Sequence, residues 1–146
     1  MSHMPEALPM HSVSVAGVVI DSDERILAIR RRDNDHWQIP GGILEVDESF
    51  EEGVRREIME ETGVAVTVQR LTGVYKNMSS AVVALVFQCS PINGQPAPTA
   101  ETVEACWLTP DEVDERMVPA FAIRVQDAFS SDVRTRTHDG VDLNTT

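Results

Sequence analysis

The chain has 146 residues, 42% of them hydrophobic, with a formal net charge of −12 and a pI near 4.6. That length suits one domain around one core. The negative field argues against nucleic acid or an anionic membrane as partner, and no run approaches the roughly 18 apolar residues of a membrane span.

Met1–Met4 reads "MSHM", which resembles a vector-derived start, so residues 1–10 are set aside as a flexible N-terminus. No charged-then-apolar leader opens the chain. Cys89 and Cys106 lie in apolar runs and read as buried free thiols rather than a disulfide framework, which points to the cytoplasm. One domain is expected over residues 11–130.

Ser12–Ile20 and Arg25–Arg30 have strand character and flank the turn residues "DSDE", so a hairpin is expected. "DNDHWQIPGG" reads as a loop. Capping signals bound a helix over Phe50–Thr62: Ser49 and Glu52 fit a capping box, and Gly63 suits the C-terminal cap. Val64–Tyr75 alternates as a half-buried strand. Ala81–Cys89 is continuously apolar, as a central strand would be.

"PINGQPAPTAE" reads as a loop able to swing over a site. Val103–Leu108 is a further strand. Thr109 and Pro110 start a helix, and Pro119–Phe129 forms the last one. Residues 131–146, with Asp139-Gly140, form either a small hairpin or a disordered tail. The class is α/β or α+β, one long mixed β-sheet with helices on both faces.

The acidic helix is unusual. At about 100° per residue, Phe50, Val54 and Ile58 form an apolar stripe, and Glu57 and Glu61 interleave with it. Two inward carboxylates cost several kcal/mol without compensation, and a cation is the simplest compensation. Glu51, Glu52 and Arg55 fall on the solvated side. Gly53 lies between Glu57 and Glu60; either a side chain there would crowd a metal-facing surface, or a mid-helix glycine is simply tolerated.

Gly42, Glu48, Arg56-Glu57, Ile58, Glu60-Glu61, Gly63 and Val64 fit the Nudix box, G-x5-E-x7-R-E-U-x-E-E-x-G-U, at every fixed position. With "WQIPGG" and the strand pattern, the chain resembles the Nudix hydrolase family over most of its length. The resemblance implies the Nudix fold, a mixed sheet between helices. It also implies hydrolysis of a small-molecule nucleotide, a nucleoside diphosphate linked to another moiety.

It further implies Glu57 and Glu61 as main ligands of Mg²⁺, which Mn²⁺ can replace. Glu60 assists, the Gly42 carbonyl adds a ligand, and Glu48 supports. Arg56 holds the carboxylates by bidentate hydrogen bonds. The candidates for general base are Glu60 or Glu61 within the box, and Glu101 or Glu104 beyond it, whose other reading is as exposed loop charges. Of the latter two, Glu101 is preferred because Glu104 shares a strand with fixed pleat.

Arg30 and Arg32 share one side of a strand end. Their choices are gripping a phosphate or distal moiety, or pairing with acids such as Asp33 and Asp35. Trp37 and Tyr75 could stack on a base or pack in the core. Family markers for ADP-ribose, dinucleoside polyphosphates and NADH are absent, with Ser79-Ser80 where the ADP-ribose proline would fall. A nucleoside triphosphate or a nucleotide sugar is therefore expected, acted on by a monomer or homodimer. The alternatives are a nucleotide-binding regulatory domain without catalysis and an acidic helix with no ligand.

Overall fold

A computed structural model describes residues 7–144, so the Met1–Met4 start lies outside the described residues. The strands are β1 (Ser12–Val19), β2 (Ile26–Arg31), β3 (Trp37–Gln38), β4 (Gly41–Ile43), β5 (Ala65–Asn77), β6 (Val82–Asn93), β7 (Thr102–Leu108) and β8 (Arg134–His138). The helices are α1 (Phe50–Thr62), α2 (Pro110–Arg116) and α3 (Pro119–Ala128).

They form two sheets rather than the single one expected. A five-stranded sheet runs β4-β1-β6-β5-β8, and a three-stranded sheet runs β3-β2-β7. β6 is central as expected, parallel to β1 and antiparallel to β5. The expected β1–β2 hairpin is only a corner. The Asp21–Arg25 turn closes and Ile20 bridges Ile26, but the two strands then part into different sheets. Leu27 pairs instead with Trp107 of β7, which buries both faces of β2.

Strand alternation builds two cores. Val15 and Val19 of β1 face one way and pack with Val54 and Ile58 of α1, Val66 and Phe87. Ala16 and Val18 face the other way and pack with Tyr75, Val86, and Ala122 and Val125 of α3. Each fully buried aliphatic side chain is worth about 1.5–3 kcal/mol. Helices thus cover both faces of the five-stranded sheet, as the sequence suggested.

Phe50 departs from the expected stripe. It is the first residue of α1, and at 45% exposure it lies outside the core. The tail is ordered by pairing: β8 joins β5 in parallel, and Asp139-Gly140 turns the chain so that His138 bridges Leu143. Among the described residues, no helix is long and apolar enough to cross a membrane.

Candidate active site

The site grows from the start of α1. Ser49 Oγ accepts the Glu52 N–H at 3.2 Å, and Glu52 accepts the Ser49 N–H at 3.0 Å, the reciprocal capping box. Gly63, at φ 80°, ends the helix and donates to the Met59 carbonyl. Between these caps Glu51, Glu52 and Arg55 are exposed, while Glu57 and Glu61 are buried at 8% and 2% exposure. The inward direction expected for both is observed.

Arg56 ties the acidic groups together. It donates from Nε to Glu48 Oε2 at 2.9 Å and from Nη2 to Glu48 Oε1 at 2.5 Å. From Nη1 it reaches Glu57 Oε1 at 2.8 Å and Glu60 Oε2 at 3.3 Å, and Nη2 also meets the Ile43 carbonyl. Its guanidinium and the Glu45 N–H hold the Glu48 carboxyl down to about 2. Glu48 is thus a support for Arg56.

Among the described residues, no Arg, Lys or His side chain forms an ion pair with Glu61. Its Oε1 accepts the Gly41 N–H at 2.7 Å, its only hydrogen bond from the described residues. Burial pushes its pKa up to about 8, with Glu57 and Glu101 adding repulsion. Burial also raises Glu57, against the pull of Arg56. β4 approaches so closely that a Cβ on Gly42 would lie 2.7 Å from both Glu57 carboxylate oxygens. Only glycine lets the backbone come that near.

Gly53 has another explanation than the metal-facing one. A Cβ there would meet Leu44 Cδ1 at 2.6 Å, Glu48 Oε1 at 3.0 Å and Val15 Cγ2 at 3.1 Å, so the glycine makes room for helix–sheet packing and for the Glu48 carboxylate.

Glu101 lies within electrostatic reach of Glu57 and Glu61, and its exposed carboxylate accepts no hydrogen bond from the described residues. The loop before it is tied to the rest of the domain at several points. Ala97 donates to the Thr62 carbonyl, and Thr102 Oγ1 donates to the Glu61 carbonyl at 3.2 Å. Arg32 binds the carbonyls of Thr99, Ala100 and Thr102. These contacts set Glu101 beside α1.

Arg32 is therefore a loop anchor rather than a phosphate grip. Arg30 pairs with Asp35 and, at 2.9 Å, with Glu104. A register shift between Arg30 and Arg31 breaks the simple alternation, and it is Arg31 that lies within electrostatic reach of Glu61 and Glu101. Arg31 is held by Asp33 at 2.8 Å through two nitrogens. It lines a cleft of about 160 Å³ together with Gln38, Gly41, Gly42, Ser14 and Arg124.

The two aromatic candidates are core residues. Tyr75 is fully buried and donates to Asp127 at 2.7 Å, so no base can stack on it. Trp37 is half-buried against the core, and Arg116 lies 5.2 Å over its ring. The sequence reading missed Arg31, Thr102 and Arg124. The Arg30–Arg32 run was visible, but a bulge decides which member lies near the site.

Hard oxygen ligands suit a divalent cation such as Mg²⁺. Among the described residues no three carboxylate, imidazole or thiol groups are already drawn into a ligand set. The donor chemistry nevertheless fits: Glu57 and Glu61 are inward, mutually repelling, and flanked by Glu60 and Glu101. A cation between them relieves that repulsion.

A NUDIX domain family model matches residues 10–128. The chain belongs to the Nudix family. It is 53% identical over 146 residues to a MutT-like protein from Streptomyces ambofaciens, covering 98% of this chain and 95% of that one. A Bacillus subtilis (strain 168) protein named as an 8-oxo-dGTP diphosphatase is 32% identical over 111 residues, 75% and 74% of the two chains. The crystal structure of an ADP-ribose pyrophosphatase from Streptococcus suis superimposes with a TM-score of 0.72. That likeness covers 86% of this chain and 99% of that one at 23% identity, a likeness of fold. This Nudix hydrolase thus carries its box on α1 and the loop before it, with Glu57 and Glu61 facing inward.

Proposed function

We propose that this Nudix hydrolase cleaves a phosphoanhydride bond in a nucleoside diphosphate linked to another moiety, a nucleoside triphosphate or a nucleotide sugar, with a divalent cation. The observation that carries this is the buried Glu61, beside Glu57 and without a cationic partner among the described residues. Glu57, Glu61 and Glu60, with the Gly42 carbonyl, would hold Mg²⁺ or Mn²⁺. A bound ion of this kind lowers the pKa of water and offsets phosphate charge.

The chain's own residues set up the rest. Arg56 orients Glu48, Glu57 and Glu60 through its fork of donors. Arg31, within electrostatic reach of Glu61 and Glu101, offsets charge on the incoming phosphates. The oxygen of water bonds to phosphorus as the bridging P–O bond breaks, and the water proton goes to Glu101. Its free, exposed carboxylate near Glu57 and Glu61 fits a base, with Glu60 or Glu61 as the other choice within the box.

The test is product release over a panel of nucleoside triphosphates and nucleotide sugars, with Mg²⁺, Mn²⁺ or excess EDTA. Cleavage is expected at a phosphoanhydride of at least one panel member and none in EDTA. Turnover in EDTA, or none with any member, would sink the proposal.

A further inference from the structure

Arg124, on α3, has no part in the chemistry above, and its surroundings are unusual. Its Nε is sealed from solvent with no hydrogen-bond partner, the one such side-chain nitrogen or oxygen among the described residues. The ring of Tyr75 lies 4.9 Å from the guanidinium and that of Phe121 5.2 Å. These rings favour the cation through its faces and leave its edge to find acceptors. Burial draws its pKa down to about 10, as expected of a cation without a carboxylate. Asp127 cannot serve, because it is engaged by Tyr75 and by both Nε and Nη2 of Arg136 at 2.8 Å.

Among the described residues, the one side-chain polar atom within hydrogen-bond distance of its edge is Nε2 of His138, 3.3 Å from Arg124 Nη2. That contact is not a hydrogen bond in the neutral imidazole. Gly140 donates its N–H to His138 Nδ1 at 3.0 Å, so Nδ1 is the acceptor and Nε2 carries the proton. Two donors then face each other. Burial and the Arg124 charge both keep His138 from gaining a second proton.

These donors border open space. Arg124 lines two neighbouring cavities, of about 200 and 160 Å³, which also share Ser14 and Ala84. The larger contains His138, Asn77 and Phe121. The smaller reaches Gly41 and Gly42, beside the acidic cluster. The smaller cavity thus spans from the Gly41–Gly42 backbone beside that cluster to Arg124.

We propose that Arg124 and the Nε2–H of His138 form a donor-only subsite for an acceptor oxygen of the substrate remote from the scissile diphosphate. It rests on the reading of the acidic cluster as the diphosphate end of the site. Two sources supply such an oxygen. One is the keto group of guanine or uracil, which adenine and cytosine replace at the corresponding edge by an amino donor. The other is an anionic oxygen of a phosphorylated sugar.

Titration calorimetry with Mg²⁺ and five probes separates them: GMP, UMP, AMP, CMP and ribose 5-phosphate. None has a phosphoanhydride bond, so binding is read apart from turnover, and a failure of the hydrolysis proposal shows only in the product-release panel. If the base supplies the oxygen, GMP and UMP bind about tenfold tighter than AMP and CMP, and Arg124→Met abolishes the difference. If a phosphorylated sugar supplies it, the probe's phosphate sits at Arg124 rather than at the acidic cluster, so all five bind alike, with or without Mg²⁺, and Arg124→Met weakens them all about tenfold.

Arg124→Lys keeps the charge but not the fork, and falls between wild type and Arg124→Met. It also carries the test if the methionine variant does not fold. The melting temperature of Arg124→Met is expected near wild type, because losing the Tyr75 and Phe121 ring contacts offsets removing a charge that has no carboxylate partner among the described residues. Affinities within threefold of wild type for all five probes in the folded variants would overturn the proposal. So would a wild-type protein with no measurable affinity for any of them.

Discussion

Glu61 offers a quantitative test in the metal-free protein. Its carboxyl titrates near 8 in the folded chain against an ordinary value of 4.5. Between those values the folded state keeps a proton that the unfolded state has released. Glu61's own contribution is therefore most favourable below pH 4.5 and becomes a growing cost as pH rises toward 8. Integrating the linkage for one such group gives a cost of about 1 kcal/mol at pH 5, about 3 kcal/mol at pH 7 and just over about 4 kcal/mol at pH 8.

Glu61→Gln removes the titration with almost no change of volume. The Gln carbonyl can still accept from Gly41, while its amide hydrogens lack an acceptor and cost about 1–3 kcal/mol. That cost does not vary with pH, so the pH dependence of the difference isolates the carboxyl. Urea unfolding in EDTA at pH 5, 6, 7 and 8 should show wild type losing about 2–3 kcal/mol relative to the variant between pH 5 and 7. A difference flat to within about 0.5 kcal/mol would mean that Glu61 is not a buried, strained carboxyl.

Three further outcomes follow from the geometry. Mg²⁺ at about a hundredfold its dissociation constant should stabilise the protein by about 2.7 kcal/mol; a thermal scan at matched ionic strength, showing no rise in melting temperature, would remove the cation from the account. Glu101→Gln should lower kcat by at least about 10²-fold with metal affinity nearly unchanged, and a loss under about threefold would return the base to Glu60 or Glu61. Tyr75→Phe should cost about 1–2 kcal/mol by denaturant unfolding, because Asp127 loses a buried donor, with kcat/KM unchanged; a large rise in KM would restore Tyr75 as a substrate contact.

The helix bearing the box was legible because its signals are local. Ser49, Glu52 and Gly63 cap it, and the interleaving of Glu57 and Glu61 with Val54 and Ile58 follows from one period. The strands were mostly legible too, but how they divide between sheets was not. β1 and β2 have no local feature that parts them; the pairing of Leu27 with Trp107 does, and it is long-range. The arginine run failed for a related reason, since a bulge at Arg30–Arg31 shifts the side-chain phase. For Tyr75 the sequence left stacking and core packing both open; its partner Asp127, on α3 across the core, decides for packing. Arg124 carried no motif, and its lack of an acid partner exists only in three dimensions.

The central claim is that Glu57 and Glu61 form a divalent cation site on which hydrolysis depends. Electron paramagnetic resonance of Mn²⁺, titrated into wild type, Glu57→Gln and Glu61→Gln and read beside turnover of the same samples, tests it most directly. The account predicts one high-affinity class of Mn²⁺ in wild type, weakened at least about tenfold in each variant, with turnover falling in parallel. Unchanged Mn²⁺ affinity in both folded variants, or full turnover where that affinity is lost, would contradict it.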